Sequence, residues 1–330
     1  MKKVIAAFAV IGMICCSSIA AADERISIVV KNKQLQSDSD PIVVQGRVLL
    51  PLRAVSESLG ASVEWNQRQK TAIVSKWSKI ASLTVGKKTA WVDNFAAPEL
   101  SADTLLDVSV TLINNRVYVP LRFISEQLGY MVDYKNNTVS IRSPYAGLPN
   151  ENSRAQILSG DLERSRSYLV GNMSAYGLRN YEHRPLKTNQ PAASAAYLFP
   201  EGEALRFFMI ENNSTITFFE YKDDFFVATW QAYVEDAEGS AIQQLFADRL
   251  KGRTGHTPLI NKRFAYFYYQ DYMGPIHRSG YIDTDGTYTE TAYDNILYDA
   301  ANSYGTLSFV LPNEVRKETV TVTQTSLKIP

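Results

Sequence analysis

Cysteine is almost missing from this 330-residue chain, and its only two, Cys15 and Cys16, both fall in the apolar run at the N-terminus. Lys2 and Lys3 open that run, Val4 to Cys16 is nearly unbroken apolar sequence, and Ala20 and Ala22 stand where an export peptidase reads small residues. Residues 1–22 therefore read as a secretory signal removed before Asp23, with an apolar stretch too short to span a bilayer. What remains has no cysteine, which excludes disulfides, thiolate metal sites and a cysteine nucleophile. Charge of one sign is also lacking. Without Lys2 and Lys3 there are 32 basic residues against 34 acidic ones, so nothing electrostatic points to nucleic acid or to steering by anionic wall polymers. Histidine is scarce: His183, His256 and His277 are the three, and no two are one residue apart. The chain has no G-x-S-x-G elbow, no H-E-x-x-H helix and no P-loop.

What is present is a repeat. Val48 to Trp65 and Val117 to Tyr134 match at a constant offset of 69 residues, through Pro51-Leu52-Arg53 and Pro120-Leu121-Arg122 and on to Leu59-Gly60 and Leu128-Gly129. The prolines end a strand and pre-set φ for a helix start. Leu52, Val55 and Leu59 then share one helical face, as do Leu121, Ile124 and Leu128. Gly60 and Gly129 stand where a left-handed residue closes a helix, and Val63/Trp65 and Val132/Tyr134 alternate with acids as half-buried strands do. Each copy is predicted to be strand, short helix and β-hairpin. Arg53 precedes Glu57 by four residues and Arg122 precedes Glu126 likewise, the weaker order for a helical ion pair. Both arginines are therefore expected to fork to loop carbonyls or to an acid on a neighbouring strand as internal fasteners, the other reading being a ligand-binding arginine in each copy.

Gly46-Arg47-x-x-x-Pro51-Leu52-Arg53, with its Leu-Gly and Val-Glu-Trp continuation, resembles the copper amine oxidase N-terminal domain family over about residues 26–142. This is the stalk module that many Gram-positive bacteria repeat outside the cell. The second copy has Asn115 where the family has glycine, and asparagine tolerates the same left-handed turn. The resemblance implies a small α+β unit, sheet packed on helices, without chemistry of its own. It does not bring the oxidase with it. Asn180-Tyr181-Glu182 fits the pattern around a quinone-forming tyrosine, but the copper beside such a tyrosine needs three histidines, two of them one residue apart.

After Pro144 to Asn150 a polar, irregular stretch is expected up to residue 200, and then an aromatic-rich β domain over 201–330. Leu205–Ile210, Thr215–Tyr221, Phe225–Val234, Arg263–Tyr269 and Thr319–Leu327 read as strands, and Ser240–Leu250 as the one clear helix. Asp223-Asp224 and Asp283 to Gly286 read as hairpin turns, against a carboxylate pair for the first and a calcium loop for the second. Tyr266, Tyr268 and Tyr269 occupy both faces of one strand, which fits either a packed sheet or a platform for stacking sugar rings. Leu311-Pro312-Asn313-Glu314-Val315 departs from a sortase signal.

The expectations are an α+β chain in which residues 1–22 form the signal and 23–143 a duplicated stalk domain. Residues 144–200 are expected to be a linker and 201–330 a mainly antiparallel β domain with one helix. Functionally they describe an extracellular, secreted or wall-associated, non-catalytic binding or scaffold protein, without cofactor or metal. Its partners would be a cell-wall glycan, another surface protein or a second copy of itself. The alternative is a hydrolase of wall polymers.

Overall fold

The computed structural model describes residues 25–143, 152–176, 180–186, 193–234, 240–270, 275–295 and 299–319. The signal segment, the stretch Pro144–Asn150 and all but the first residue of the strand expected over 319–327 lie outside these. Sheets dominate and helices are short, as an α+β chain requires. Among the described residues no helix is long and apolar enough to cross a membrane.

The first half begins with β1 (Ser27–Val30) and β2 (Lys33–Gln34), followed by β3 (Ile42–Val44), β4 (Arg47–Pro51), α1 (Leu52–Ser58), β5 (Ser62–Asn66) and β6 (Thr71–Lys76). Three more strands follow, β7 (Lys79–Thr84), β8 (Thr89–Asn94) and β9 (Ala102–Leu105), and then the same order recurs as β10 (Thr111–Ile113), β11 (Arg116–Pro120), α2 (Leu121–Gln127), β12 (Met131–Lys135) and β13 (Thr138–Arg142). Strands β4 and β11 pair antiparallel with Leu50 opposite Val119, Pro51 opposite Tyr118 and Leu49 opposite Pro120. Leu50 and Val119 are equivalent at the 69-residue offset, so the register itself has two-fold symmetry about that pair. Each helix closes in the same way. Gly60 N–H and Ala61 N–H donate to Glu57 and Ser56 carbonyls, as Gly129 and Tyr130 do to Glu126 and Ser125. Those bonds need a left-handed residue, and Gly60 and Gly129 supply it at φ +73° and +86°.

The stripe Leu52, Val55, Leu59 and its counterpart Leu121, Ile124, Leu128 lie in one buried cluster with Leu50, Val119, Val74 and Ile141. On the far side of that core the two hairpins differ. β6 runs on into the five-stranded sheet β5-β6-β7-β8-β9, whereas β13 takes β1 as a parallel neighbour.

The second half is an eight-stranded antiparallel sheet. In chain order its strands are β14 (Ser194–Pro200), β15 (Arg206–Glu211), β16 (Thr215–Lys222), β17 (Phe225–Tyr233), β18 (Lys251–Gly255), β19 (Phe264–Gln270), β20 (Ile276–Ile282) and β21 (Tyr288–Asp294). The spatial order is β18-β17-β16-β15-β14-β19-β20-β21. One face carries α3 (Asn152–Ile157), α4 (Leu162–Tyr176) and the strap through Leu311, and the other carries α5 (Ala241–Phe246).

Two expectations are corrected here. The segment expected to be irregular up to residue 200 holds α3, α4 and the central strand β14, so among the described residues the second half has three α-helices rather than one. Helix α4 escapes an apolar-periodicity reading because its buried face includes Ser165 and Arg166, both fully buried. Arg166 donates to the carbonyls of Glu203, Pro200 and Phe309 and forms a 2.7 Å ion pair with fully buried Glu314, fastening the strap that contains Leu311. The expected helix over 240–250 is only Ala241–Phe246. Ser240 and Gln243 cap it reciprocally, and Asp248, at φ +55°, turns the chain out towards β18.

The halves do not close separate cores. Phe225 and Val227, at the start of β17, belong to the buried cluster of the first half. Leu59 is fully buried and Leu128 is 5 % exposed in that cluster. Leu59→Ala and Leu128→Ala are each expected to cost about 2–5 kcal/mol in urea unfolding. A loss below about 0.5 kcal/mol at both positions, the scale of a surface substitution, would contradict the shared core.

Candidate functional site

The repeat signature is spent on architecture. Gly46 and Asn115 sit in left-handed turn positions at φ +71° and +60°, so asparagine does replace glycine in the second copy. Pro51 and Pro120 immediately precede α1 and α2, and Leu52 and Leu121 are buried beneath them. Trp65 donates its indole N–H to Gln67 at 2.6 Å, and Tyr134, half exposed, donates to Asn137. The arginines are not internal fasteners. Arg53 and Arg122 are 67 % and 63 % exposed and, among the described residues, pair only with Glu57 and Glu126, at 3.7 and 3.8 Å. Each lies one residue past a buried leucine, on the solvent side of its helix, so the i,i+4 carboxylate is the partner in reach. Arg53 also borders a shallow groove of about 550 Å³ with Trp65, Val117 and Arg116.

Nor do Tyr266, Tyr268 and Tyr269 make an open platform. β19 lies inside the sheet between β14 and β20. Tyr266 is 7 % exposed and packs edge-on against Tyr288. Tyr268 rests against the core under α5, and Tyr269 stacks on His277 over the opposite core. With strands on both sides, Tyr266 buried and Tyr268 and Tyr269 partly buried, the three belong to the packed sheet.

Two places gather chemically active side chains that are far apart in sequence. The first is the two-residue turn Asp223-Asp224 between β16 and β17, both residues left-handed at φ +49° and +72°. It is a hairpin turn as expected, and it also penetrates the first half. Lys76, whose side chain is 2 % exposed, bonds the Asp223 carboxylate, the Leu59 carbonyl and, at 2.7 Å, the Tyr130 hydroxyl. Tyr130 donates to Asp223 at 3.1 Å, and Lys31 bonds both aspartates. Arg154 and Ser143 complete Asp224, at 2.9 and 2.6 Å. Burial works to raise the Asp223 carboxyl, but Lys31 and Lys76 outweigh it and hold its pKa below the ordinary value. Burial lowers Lys76 in spite of the same partner. Burial first, and then Asp223, raise Tyr130. The repeat glycines make room for the turn: a Cβ on Gly60 would lie 2.4 Å from Asp223 Oδ2, and one on Gly129 would lie 3.2 Å from the Phe225 ring.

The second place is a groove of about 560 Å³ on the α5 face of the large sheet, with Phe208, Phe218 and Phe264 as its floor. Its rim carries Arg206, Lys222 and Lys262 against Glu182, Glu203 and Glu220, together with His183 and His256. Glu203 takes a two-pronged contact from Arg206, at 2.8 Å twice, and a bond from Lys262. Lys222 bridges Glu182 at 2.9 Å and Glu220 at 3.3 Å. Burial pulls Lys222 down, but these two carboxylates prevail and its pKa is raised. The third histidine, His277, is elsewhere, stacked between Phe267 and Tyr269. Tyr181 is not part of the groove: it packs against the core on the opposite face of the sheet and bridges Ala228. Three cations and three anions cancel. The groove suits a neutral or zwitterionic ligand rich in hydrogen-bonding groups, not a polyanion. Sequence reading missed it because its members come from five separate stretches, Glu182–His183, Pro200–Phe208, Phe218–Lys222, Thr229 and His256–Phe264.

Residues 29–142 match the copper amine oxidase N-terminal domain family, the family that the repeat signature resembles. A protein of Brevibacillus choshinensis named "Protease inhibitor" is 27% identical over 202 residues, which cover 60% of this chain and 58% of that protein. The chain thus matches less than two thirds of that relative's length, and the shared stretch is longer than 29–142 and extends beyond it.

The turn at 223–224 generates a direct test. Asp223→Ala leaves the Lys76 ammonium buried without its carboxylate and is expected to cost about 3 kcal/mol in urea unfolding at pH 7, the low end for an orphaned buried charge because Asp223 itself is a third exposed. Since its folded-state pKa lies below the unfolded value, the Asp223 contribution is complete above the ordinary carboxylate range and is lost as pH falls through the depressed folded value. The difference between wild type and Asp223→Ala should therefore shrink when the unfolding is repeated in acid.

Proposed function

We propose that this chain, whose residues 29–142 match the copper amine oxidase N-terminal domain, is an exported, non-catalytic binding protein of the cell surface. The duplicated first half acts as the mount, and the large sheet of the second half bears the ligand. The observation that carries the reading is how the polar groups are engaged. The repeat residues serve turns, helix starts and helix closures, and the charged rim of the 182–264 groove is internally paired and neutral. A wall-polymer hydrolase would need a carboxyl free to exchange a proton with its substrate and a second one facing it across the cleft. Here Glu203 is held by two cations, while Glu182 and Glu220 share Lys222. A wall glycan fits the groove by its neutrality and its need for many hydrogen bonds.

A second reading concerns the class of ligand. The Brevibacillus relative named "Protease inhibitor" favours a protein partner over a glycan, with the same absence of chemistry by the chain itself.

The test uses the whole mature protein on a glycan array and in pull-down with purified cell wall, with a zymogram alongside. Binding without a cleared zone is expected. Arg206→Glu, which sets a carboxylate against Glu203, should weaken glycan binding by about tenfold or more, a change of about 1.4 kcal/mol. A cleared zone would replace the binding reading with the hydrolase. Wall binding untouched by Arg206→Glu would take the groove out of it.

A further inference from the structure

The segment between β18 and β19 is unusual for this protein. From His256 to Asn261 the chain has no turn, no bend and no ladder partner, and its backbone is bonded to no other described backbone group. With no helix, turn or bend over 256–261 and no positive φ among them, the run neither coils nor reverses and is extended. Its side chains alternate: Thr257, Leu259 and Asn261 are exposed, while Pro258 and Ile260 are partly buried. Leu259, at 79 %, is the most exposed large apolar side chain among the described residues.

Both ends are tied down. Gly255 pairs with Trp230, and it lies so close to its neighbours that an added Cβ would meet the Thr229 carbonyl at 2.1 Å and the His183 ring at 2.8 Å. Ile260 packs on the core beneath α5, and the Arg263 carbonyl accepts from Glu201 N–H at 2.8 Å. The result is a short extended segment fixed at both ends, without a backbone partner among the described residues and with one apolar side chain offered to solvent.

We infer that Thr257–Ile260 is a substrate-like docking strand for an endopeptidase with an apolar primary pocket, with Leu259 as the side chain that enters the pocket. This rests on the second reading above, a protein partner in place of a glycan, and takes that partner to be a protease that the chain inhibits. An endopeptidase takes its substrate as an extended strand, pairs with its backbone and selects one side chain in a pocket. In such pairing the N–H and C=O of alternate residues face the partner, so Thr257 and Leu259 bond while Pro258 faces away. The N–H that proline lacks is therefore one that the enzyme would not use. Proline also fixes its own φ, and the anchors at Gly255 and Ile260 hold the neighbouring residues, so little ordering remains to be done on docking. Leu259 leaves water for an apolar pocket.

The experiment measures inhibition of a subtilisin-type endopeptidase, which has an apolar pocket, and of a trypsin-type one, which has an acidic pocket, by the whole mature chain. Wild type should inhibit the first. Leu259→Arg should weaken that inhibition by about a hundredfold and create inhibition of the second, because the primary pocket decides the side chain accepted. Leu105→Arg, on the equally exposed β9 position, should behave as wild type. Circular dichroism of each variant checks folding, which a solvent-facing side chain should leave unchanged. If the wild-type chain inhibits neither enzyme, the inhibitor reading falls and this strand with it. If Leu259→Arg inhibits the subtilisin-type enzyme as well as wild type does, the strand is wrong and the reading stands. Rapid cleavage between Leu259 and Ile260 without inhibition would also overturn the assignment, since the strand would then be an ordinary substrate.

Discussion

The ammonium of Lys76 is out of water, and its charge is met by a carboxylate 147 residues further on, at the tip of the β16–β17 hairpin. A buried charge of this kind tolerates only one arrangement of its surroundings, because every missing partner leaves an expensive orphan. The consequences spread outward from it. Asp223 can reach Lys76 only because Gly60 has no side chain, and Gly60 is free to serve there because the helix closure already demands a left-handed residue. Tyr130 and Lys31, from the second copy's side of the domain, bind the same turn. Phe225 follows the turn into the core, edge-on to Trp77 and Tyr130 at 4.8 and 5.5 Å. One two-residue turn thereby locks both copies of the repeat and the large sheet together.

That lock also bears on the groove. Strands β16 and β17 carry the turn at one end and present Phe218, Glu220, Lys222 and Thr229 to the groove close by. Lys222 is the residue next to Asp223, so the position of the groove's bridging cation is tied to the docking of the turn. The other wall of the groove is the His256–Asn261 strand, anchored where Gly255 meets Thr229 and His183. The first half and the large sheet are parts of one packed body, and geometry set at the junction is carried along a single hairpin into the groove.

How far this could be read from the chain depends on the distance over which each feature is determined. The repeat was legible: the prolines, the Leu-Gly closures and the 3.6-residue stripe act within one or two turns of chain, and the structure has them at the expected positions. The hairpin turns at 223–224 and 283–286 were legible for the same reason. Arg53 and Arg122 were misjudged, because helix-pair statistics say which order is weaker but not whether a better acceptor lies nearby. Helix α4 was missed because a buried arginine looks solvent-facing until Glu314 and three carbonyls are known to surround it.

Local covalent and steric preferences, then, are what the sequence determined unaided: the duplicated unit, its turns and caps, the strand-rich second half and its family resemblance. Tertiary structure alone decided which groups face one another. It placed Asp223 on Lys76 and Glu314 on Arg166, covered the tyrosines of β19, brought three cations and three carboxylates around one groove and left Leu259 in solvent. Contacts between residues more than a hundred positions apart depend on how sheets stack and which hairpin enters which core. No periodicity in one segment records what another segment will bring to it.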